Sequence, residues 1–366
     1  MKAPRVILSG GGTGGHIFPA VAIANAIKKE YPDAAILFVG ALGRMEMEKV
    51  PAAGYQIIGV PIAGLQRRLT LSNLKLPFLI IRSLLATRKI IRDFKPDVAV
   101  GTGGYASGPL LRAAGSAGIP VLLQEQNSYA GITNKILARK AAKICVAYEG
   151  MEKFFPAEKI LLTGNPVRQE LSQAGDLKAE AQYYFKTEPS KKTILVIGGS
   201  QGAKTINESL LSGISQLQAA GVQVIWQTGK AYYQKIKTAV DAEEKTGIFV
   251  HEFISRMDLA YAAADLIISR AGASSVSEIC NLGKASVLVP SPNVAEDHQT
   301  KNAMALVEKG AAALVKDAEA NEQLVSTSLR LLEDKASLDL LRKNALQLAH
   351  ANAAEIIAKE VIKLIR

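Results

Sequence analysis

The sequence predicts an α/β protein built as two tandem Rossmann-like domains, and three observations predict it. Short apolar strand-like runs alternate with amphipathic helical segments along the whole chain. Each half opens with one such run and a glycine turn, GGGTGG after Leu8 and GGSQGA after Ile197. At 366 residues the chain has room for two domains of ordinary size.

In the first half the expected strands are Val6–Leu8, Ala35–Val39, Tyr55–Val60, Val98–Val100, Val121–Gln124 and Ile144–Ala147. An Ala-rich amphipathic helix opens at His16 and runs through Ile27. The second half repeats the pattern with Thr193–Ile197, Val222–Gln227, Ile248–Glu252, Leu266–Ser269 and Ala285–Val289. Gly and Asn-Pro punctuate Thr163–Arg168, TGNPVR, which sets the expected domains at 1–165 and 166–366. The final helix, about 350–366, is expected to pack back on the first domain. The polar stretch Gln173–Lys192 is expected on the surface.

Composition narrows the class. With 48% hydrophobic and 21% charged residues the chain is globular. Cys145 and Cys280 are the only cysteines, too few for a disulfide framework or a zinc site. The N-terminus enters a core strand directly, which argues against a cleaved leader, and no apolar run approaches the ~20 residues that span a bilayer. A reducing, cytoplasmic setting is expected.

The net charge of +11 is uneven. Met1–Asn165 carries 21 Lys+Arg against 10 Asp+Glu, and the remainder balances at 23 against 23. A basic first half suits nucleic acid, anionic lipid or an anionic substrate. No aromatic-interleaved basic stripe or nucleic-acid module is present, so no nucleic-acid partner is expected. Between Leu65 and Arg92 seven basic residues and no acid mix with apolar ones. Pro77 can start a helix there, with Arg82 and Lys89 seven apart and Phe78, Leu79 and Leu85 as apolar neighbours. Such a segment either lies in a bilayer interface or turns an ordinary apolar face to the core. Lys140 belongs to a second basic cluster with Lys135, Arg139 and Lys143.

The glycine turns suit an anion. Strand, glycine turn and helix together present backbone N–H groups and a positive helix end, and a Cβ would hold a phosphate away. Gly10, Gly12 and Gly15 satisfy the dinucleotide fingerprint GxGxxG, but the second strand ends Val39-Gly40-Ala41-Leu42, without the acid that holds a ribose. An NAD enzyme is disfavoured on that ground. GGSQGAKT, Gly198–Thr205, is one residue from a P-loop, with Ala203 in place of glycine, and an NTPase is rejected too. A third small-residue turn, SRAGASSVSE at Ser269–Glu278, again joins a strand to a helix. Glu278 on that helix could accept both ribose hydroxyls while the turn meets a diphosphate, or could be a solvated helical glutamate.

Seven motifs carry a family resemblance. They are GGGTGGHIFPA, GTGGYASGP, QEQNSYAGITNK, TGNPVR, GGSQGA, SRAGASSVSE and EDHQTKNA, in that order over almost the whole chain. The chain resembles the bacterial cell-wall N-acetylglucosaminyltransferases of glycosyltransferase family 28. The resemblance implies a GT-B fold, two domains facing across a cleft. It implies inverting transfer of GlcNAc from UDP-GlcNAc to the 4-hydroxyl of MurNAc in lipid I, giving lipid II. It also implies an anionic membrane surface as partner, the cytoplasmic face of the membrane as location, and other cell-wall synthesis proteins as candidate partners. A UDP-sugar epimerase of similar build, or a nucleotide-binding module without catalysis, are the alternatives.

Residue roles follow from the matching positions. Thr13, Gly14, Gly15 and Asn127 approach the donor from the first domain, and Arg168 follows the junction. Ser200 donates to phosphate, Ile254 meets uracil through its backbone, and Ala273, Ser274, Ser275, Val276, Ser277 and Glu278 cover phosphate and ribose. Gln299 reads the GlcNAc hydroxyls with Asn302 beside it. For the docking surface the resemblance favours Phe78, Leu79, Arg82, Leu85, Lys89 and Lys140. There is no DxD motif, so no metal ligand and no cofactor are expected, and helix N-termini would stabilise the departing diphosphate. His16 is the leading candidate base, because the unperturbed imidazole pKa, near 6.5, suits proton abstraction at neutral pH. The rival role is a hydrogen bond to sugar or acceptor, and Glu125 is the second candidate base.

Overall fold

The computed structural model describes residues 3–62, 76–167, 171, 177–199, 201–242 and 246–365, without the side chains of 76–78 and 295. Two compact units result, Met1–Val167 with Ala351–Arg366, and Arg168–His350.

The first unit runs β1 (Arg5–Ser9), α1 (Gly14–Glu30), β2 (Ala35–Ala41), α2 (Glu46–Ala52), β3 (Gln56–Val60), α3 (Leu76–Phe94), β4 (Val98–Gly101), α4 (Ser107–Ser116), β5 (Val121–Glu125), α5 (Ile132–Ala138), β6 (Lys143–Val146) and β7 (Ile160–Leu162). These strands form one parallel sheet in the order β3-β2-β1-β4-β5-β6-β7. Both faces are covered, which is why the strands read as unbroken apolar runs. Val6 and Leu8 join one core with Phe38, Val98 and Leu122, while Ile7 joins the other with Val39, Ala99 and Leu123.

The second unit runs α6 (Lys178–Phe185), β8 (Thr193–Ile197), α7 (Lys204–Ser212), α8 (Ile214–Ala219), β9 (Gln223–Gln227), α9 (Tyr233–Ala242), β10 (Ile248–His251), α10 (Met257–Ala263), β11 (Leu266–Ser269), α11 (Ala273–Asn281), β12 (Ser286–Leu288), α12 (His298–Val307), β13 (Ala313–Leu314), α13 (Ala320–Glu333) and α14 (Lys335–Gln347). Its parallel sheet is ordered β10-β9-β8-β11-β12-β13. The last helix, α15 (Ala353–Lys363), returns to the first unit, where Ile357, Ala358 and Val361 share a core with Ile23 and Ile27 of α1.

The expected strands lie within two residues of the observed ones, and β7 and β13 are additional, each too short to show a period in the sequence. The polar stretch 173–192 is only partly a surface. Its central residues form α6, which buries Ala181 and Phe185, with Phe185 edge-on to His251.

In both sheets the connections reverse direction once, between β1 and β4 and between β8 and β11. Ligands of open α/β sheets bind outside the strand carboxyl ends at such a reversal.

Candidate active site

Each reversal carries one of the glycine turns. In the first unit the loops after β1 and β4 close on each other. Thr102 N donates to Ser9 O (3.0 Å), and Thr102 Oγ1 donates to His16 O (2.7 Å). Thr13 is the exposed, extended residue before α1, and its carbonyl accepts from His16 N and Ile17 N. Gly14 and Gly15 are the first residues of α1, whose N–H groups no intrahelical carbonyl can take. They stand at the carboxyl edge of the first sheet.

His16 is half-buried in this first turn, with Nδ1 3.2 Å from both Thr13 Oγ1 and Gly11 O. Its ring lies over Gly103, where a Cβ would stand 3.2 Å from Nε2 and 3.7 Å from Asn134 Nδ2. Gly103 has φ +96°, so glycine is needed there both for the backbone and for the imidazole. Asn134, on α5, is therefore a neighbour of His16 that the sequence motif contained without a role attached.

Glu125 ends β5 and is buried. Its Oε1 accepts from Asn127 N (3.1 Å) and Asn127 Nδ2 (3.3 Å), and its Oε2 from Gly131 N (3.0 Å) and Asn134 Nδ2 (2.9 Å). Burial raises its pKa against these four donors. Both oxygens organise the loop that carries Asn127 and starts α5. Gln126 ties the same loop to β4 by donating to Thr102 O (2.6 Å).

In the second unit the third turn leads into α11 from Gly272. Ala273, Ser274 and Ser275 form its first turn. Val276 is buried and its N–H donates to Gly272 O (3.0 Å). Ser277 is half-buried and Glu278 buried, with Tyr261 OH donating to Glu278 Oε2 (2.8 Å). Ile254 is buried and its N–H donates to Gln227 Oε1 (2.9 Å), while Gln227 Nε2 donates to Gly199 O (3.2 Å). A backbone contact from Ile254 is thereby limited to its carbonyl. Gln299 Oε1 accepts from Ser291 N (2.9 Å) at the start of α12. Asn302 is fully buried and donates to Ala271 O (3.3 Å), which makes it a support for the turn. Arg168 and Ser200 lie outside the described residues.

One ion pair without a sequence signal joins three of these loops. Arg270, at the exit of β11, donates to Val289 O, Pro290 O and Asp317, and Asp317 accepts from Thr205 Oγ1 (2.9 Å). Among the described residues no group of three or more His, Cys, Asp or Glu is placed to hold a metal ion.

The basic segment forms α3, beginning at Leu76 with Pro77 in its first turn. Ser83, Thr87, Ile90 and Ile91 face inward, and Ile80, Ile81 and Leu85 are exposed beside Arg82, Arg88 and Lys89. Leu79 is half-buried, and the Phe78 side chain lies outside the described residues. On α5, Ile132 and Ile136 are exposed at 62% and 68%. Ile136, Arg112, Arg139 and Lys140 line a cavity of ≈ 430 Å³. Lys135 instead stacks on Tyr129 and Phe154. Among the described residues no helix is long and apolar enough to cross a membrane.

Two doubly wound units, each with a glycine turn and a helix N-terminus at its reversal point, are the build of the two-domain GT-B class, which nucleotide-sugar transferases and epimerases share. The chain belongs to glycosyltransferase family 28: residues 6–146 match the model of the family's N-terminal domain and residues 193–359 that of its C-terminal domain. It is 58% identical over 365 residues to the UDP-N-acetylglucosamine–N-acetylmuramyl-(pentapeptide) pyrophosphoryl-undecaprenol N-acetylglucosamine transferase of Parabacteroides distasonis, covering 100% of this chain and 99% of the relative. The transferase of the same name from Bacteroides fragilis is 59% identical over 364 residues, 99% of this chain and 96% of the relative. Among solved structures, MurG of Acinetobacter baumannii superposes with TM-score 0.79 at 30% identity, covering 98% of this chain and 99% of the other. A UDP-GlcNAc 2-epimerase from Neisseria meningitidis, at 15% identity and TM-score 0.67, covers 98% of this chain and 100% of the other and shares the fold alone.

Proposed function

We propose that this chain transfers GlcNAc from UDP-GlcNAc to the 4-hydroxyl of MurNAc in undecaprenyl-diphosphate-MurNAc-pentapeptide, converting lipid I to lipid II with inversion. The observation that carries the reading is the 58% identity, over 100% of this chain and 99% of the relative, to a transferase whose name states that donor and that acceptor. The two units divide the labour, the second (Arg168–His350) holding the donor and the first the acceptor.

His16 Nε2 takes the proton of the 4-hydroxyl as the acceptor oxygen bonds to C1 of GlcNAc. The C1–oxygen bond to UDP breaks on the opposite face, and the anomeric carbon inverts. The leaving diphosphate gains charge, which N–H groups and a positive helix end stabilise; the first turn of α1 offers one such set in the first unit and that of α11 another in the second. Thr13, Gly14 and Gly15 supply the first set and Ala273, Ser274 and Ser275 the second, with Ser200 and Arg168 adding donors. Glu278 holds the ribose hydroxyls, the carbonyl of Ile254 the uracil edge, and Gln299 the sugar. Glu125 and Asn302 act one step back, holding Asn127 and the Ala271 turn where they are.

The acceptor is a membrane lipid, which gives the basic first half its use. The exposed face of α3, with Arg82, Leu85 and Lys89, and Lys140 beyond α5 dock the first unit on the anionic cytoplasmic leaflet without crossing it. Incubation with UDP-GlcNAc and a lipid I analogue tests the reaction. A new β-linked disaccharide with release of UDP is expected; an altered monosaccharide or unchanged donor would overturn it.

A further inference from the structure

Glu46 opens α2 and is fully buried, at 0% exposure. Its carboxylate bridges two backbone donors, Oε1 accepting from Ala41 N (3.0 Å) and Oε2 from Gly12 N (3.0 Å). The sequence around it makes room. A Cβ on Gly11 would lie 2.3 Å from Glu46 Oε1, and one on Gly40 2.6 Å from its Cγ. The end of β2 and the glycine turn are thus joined through one carboxylate.

The peptide whose N–H meets Glu46 is Gly11–Gly12, and the carbonyl of that same peptide is Gly11 O, 3.2 Å from His16 Nδ1. In a trans peptide the N–H and C=O point in opposite directions. Holding the N–H toward Glu46 therefore holds the carbonyl toward the imidazole. Nδ1 has a second neighbour at the same distance, Thr13 Oγ1. A hydroxyl can donate or accept, whereas a carbonyl only accepts. With Gly11 O fixed beside it, Nδ1 carries the hydrogen and Nε2 the lone pair. If the peptide turned over, its N–H would face Nδ1, and the hydrogen would move to Nε2.

We propose that Glu46 is a positioning residue that sets the tautomer of His16 through the Gly11–Gly12 peptide. It does for this imidazole what a directly bonded carboxylate does in other sites, with a peptide unit interposed. The catalytic consequence rests on the reading of His16 as the base; the tautomer itself does not.

The test uses the full chain labelled with 15N-histidine, whose four histidines are assigned by replacing His251, His298 and His350 one at a time. Long-range 1H–15N spectra are recorded about two pH units above the ordinary imidazole pKa, where the ring is neutral. In the parent, Nδ1 of His16 is expected to be the protonated nitrogen and Nε2 the acceptor. Glu46→Gln keeps the size but offers one oxygen to two N–H donors, so the tautomer should become mixed or reversed. Gly11→Ala, which drives a methyl into the carboxylate, should do the same and serves if the first variant fails to fold. A His16 pattern unchanged in a folded variant, or Nε2 protonated in the parent, would overturn the proposal. With His16 as base, kcat should also fall, by about 10- to 100-fold as for other orienting partners of functional imidazoles, at unchanged KM for UDP-GlcNAc. A reversed tautomer with undiminished kcat would leave the role of Glu46 standing and remove His16 from the chemistry.

Discussion

Tyr261 donates its phenolic hydrogen to Glu278 Oε2 across 2.8 Å, and both side chains are buried within the second unit. The bond joins α10 to α11 and fixes the carboxylate rotamer before any ligand arrives. Glu278→Ala is expected to raise the KM for UDP-GlcNAc by roughly 10- to 150-fold, the equivalent of about 1.5–3 kcal/mol for a charged hydrogen bond. Tyr261→Phe should raise it less, because the carboxylate remains and only its orientation loosens. Steady-state kinetics with varied donor check both, and an unchanged KM in Glu278→Ala would take the ribose role from it.

Much of this site was legible because it depends on local pattern. Strand, glycine turn and helix are contiguous in sequence, so His16 and Ala273–Glu278 could be placed at strand ends before any fold was known. What escaped depends on distant pairing. Tyr261 lies 17 residues from Glu278, and Thr205 lies 112 from Asp317, with no period or motif linking either pair. Glu46 is the sharpest case. The second strand ends without an acid, which argued against a dinucleotide site, yet the chain turns back and places Glu46 at that strand end from α2. Its carboxylate is turned to the glycine loop, where it meets Gly12.

Lys284, just before β12, is half-buried and donates to Ala264 O (3.1 Å). Burial, reinforced by Arg342 and Lys178 and opposed by Asp265, pushes its pKa down to about 8 from 10.5. Between those values the unfolded chain binds more protons than the folded one, so stability rises with pH there. Below about pH 8 both states are charged, and the fold bears the whole cost, about 3 kcal/mol for such a shift. Lys284→Met should therefore gain on the parent most at neutral pH, with the difference shrinking toward about pH 10. Urea unfolding at the two pH values checks this, and a difference independent of pH would contradict it.

The proposed docking of α3 predicts salt-sensitive binding to anionic vesicles. Arg82 and Lys89 are exposed on α3, and each cation near anionic lipid contributes roughly 1 kcal/mol. Arg82→Glu/Lys89→Glu should weaken vesicle binding by at least about thirtyfold, from some 2 kcal/mol of lost attraction. Turnover of a water-soluble acceptor should be unchanged. Flotation of parent and variant with the same vesicles is the measurement, and equal binding would place the docking face elsewhere.

In the proposed mechanism His16, at the meeting of the β1 and β4 loops, takes the proton of the acceptor hydroxyl. The direct measurement is kcat and donor KM for His16→Ala with UDP-GlcNAc and a lipid I analogue, beside the donor Kd of the same variant. A fall in kcat of about 10²- to 10⁴-fold, the usual range for a positioned base, with donor Kd near that of the parent is expected. Normal turnover at saturating donor, together with weakened donor binding, would contradict it and make His16 a binding contact.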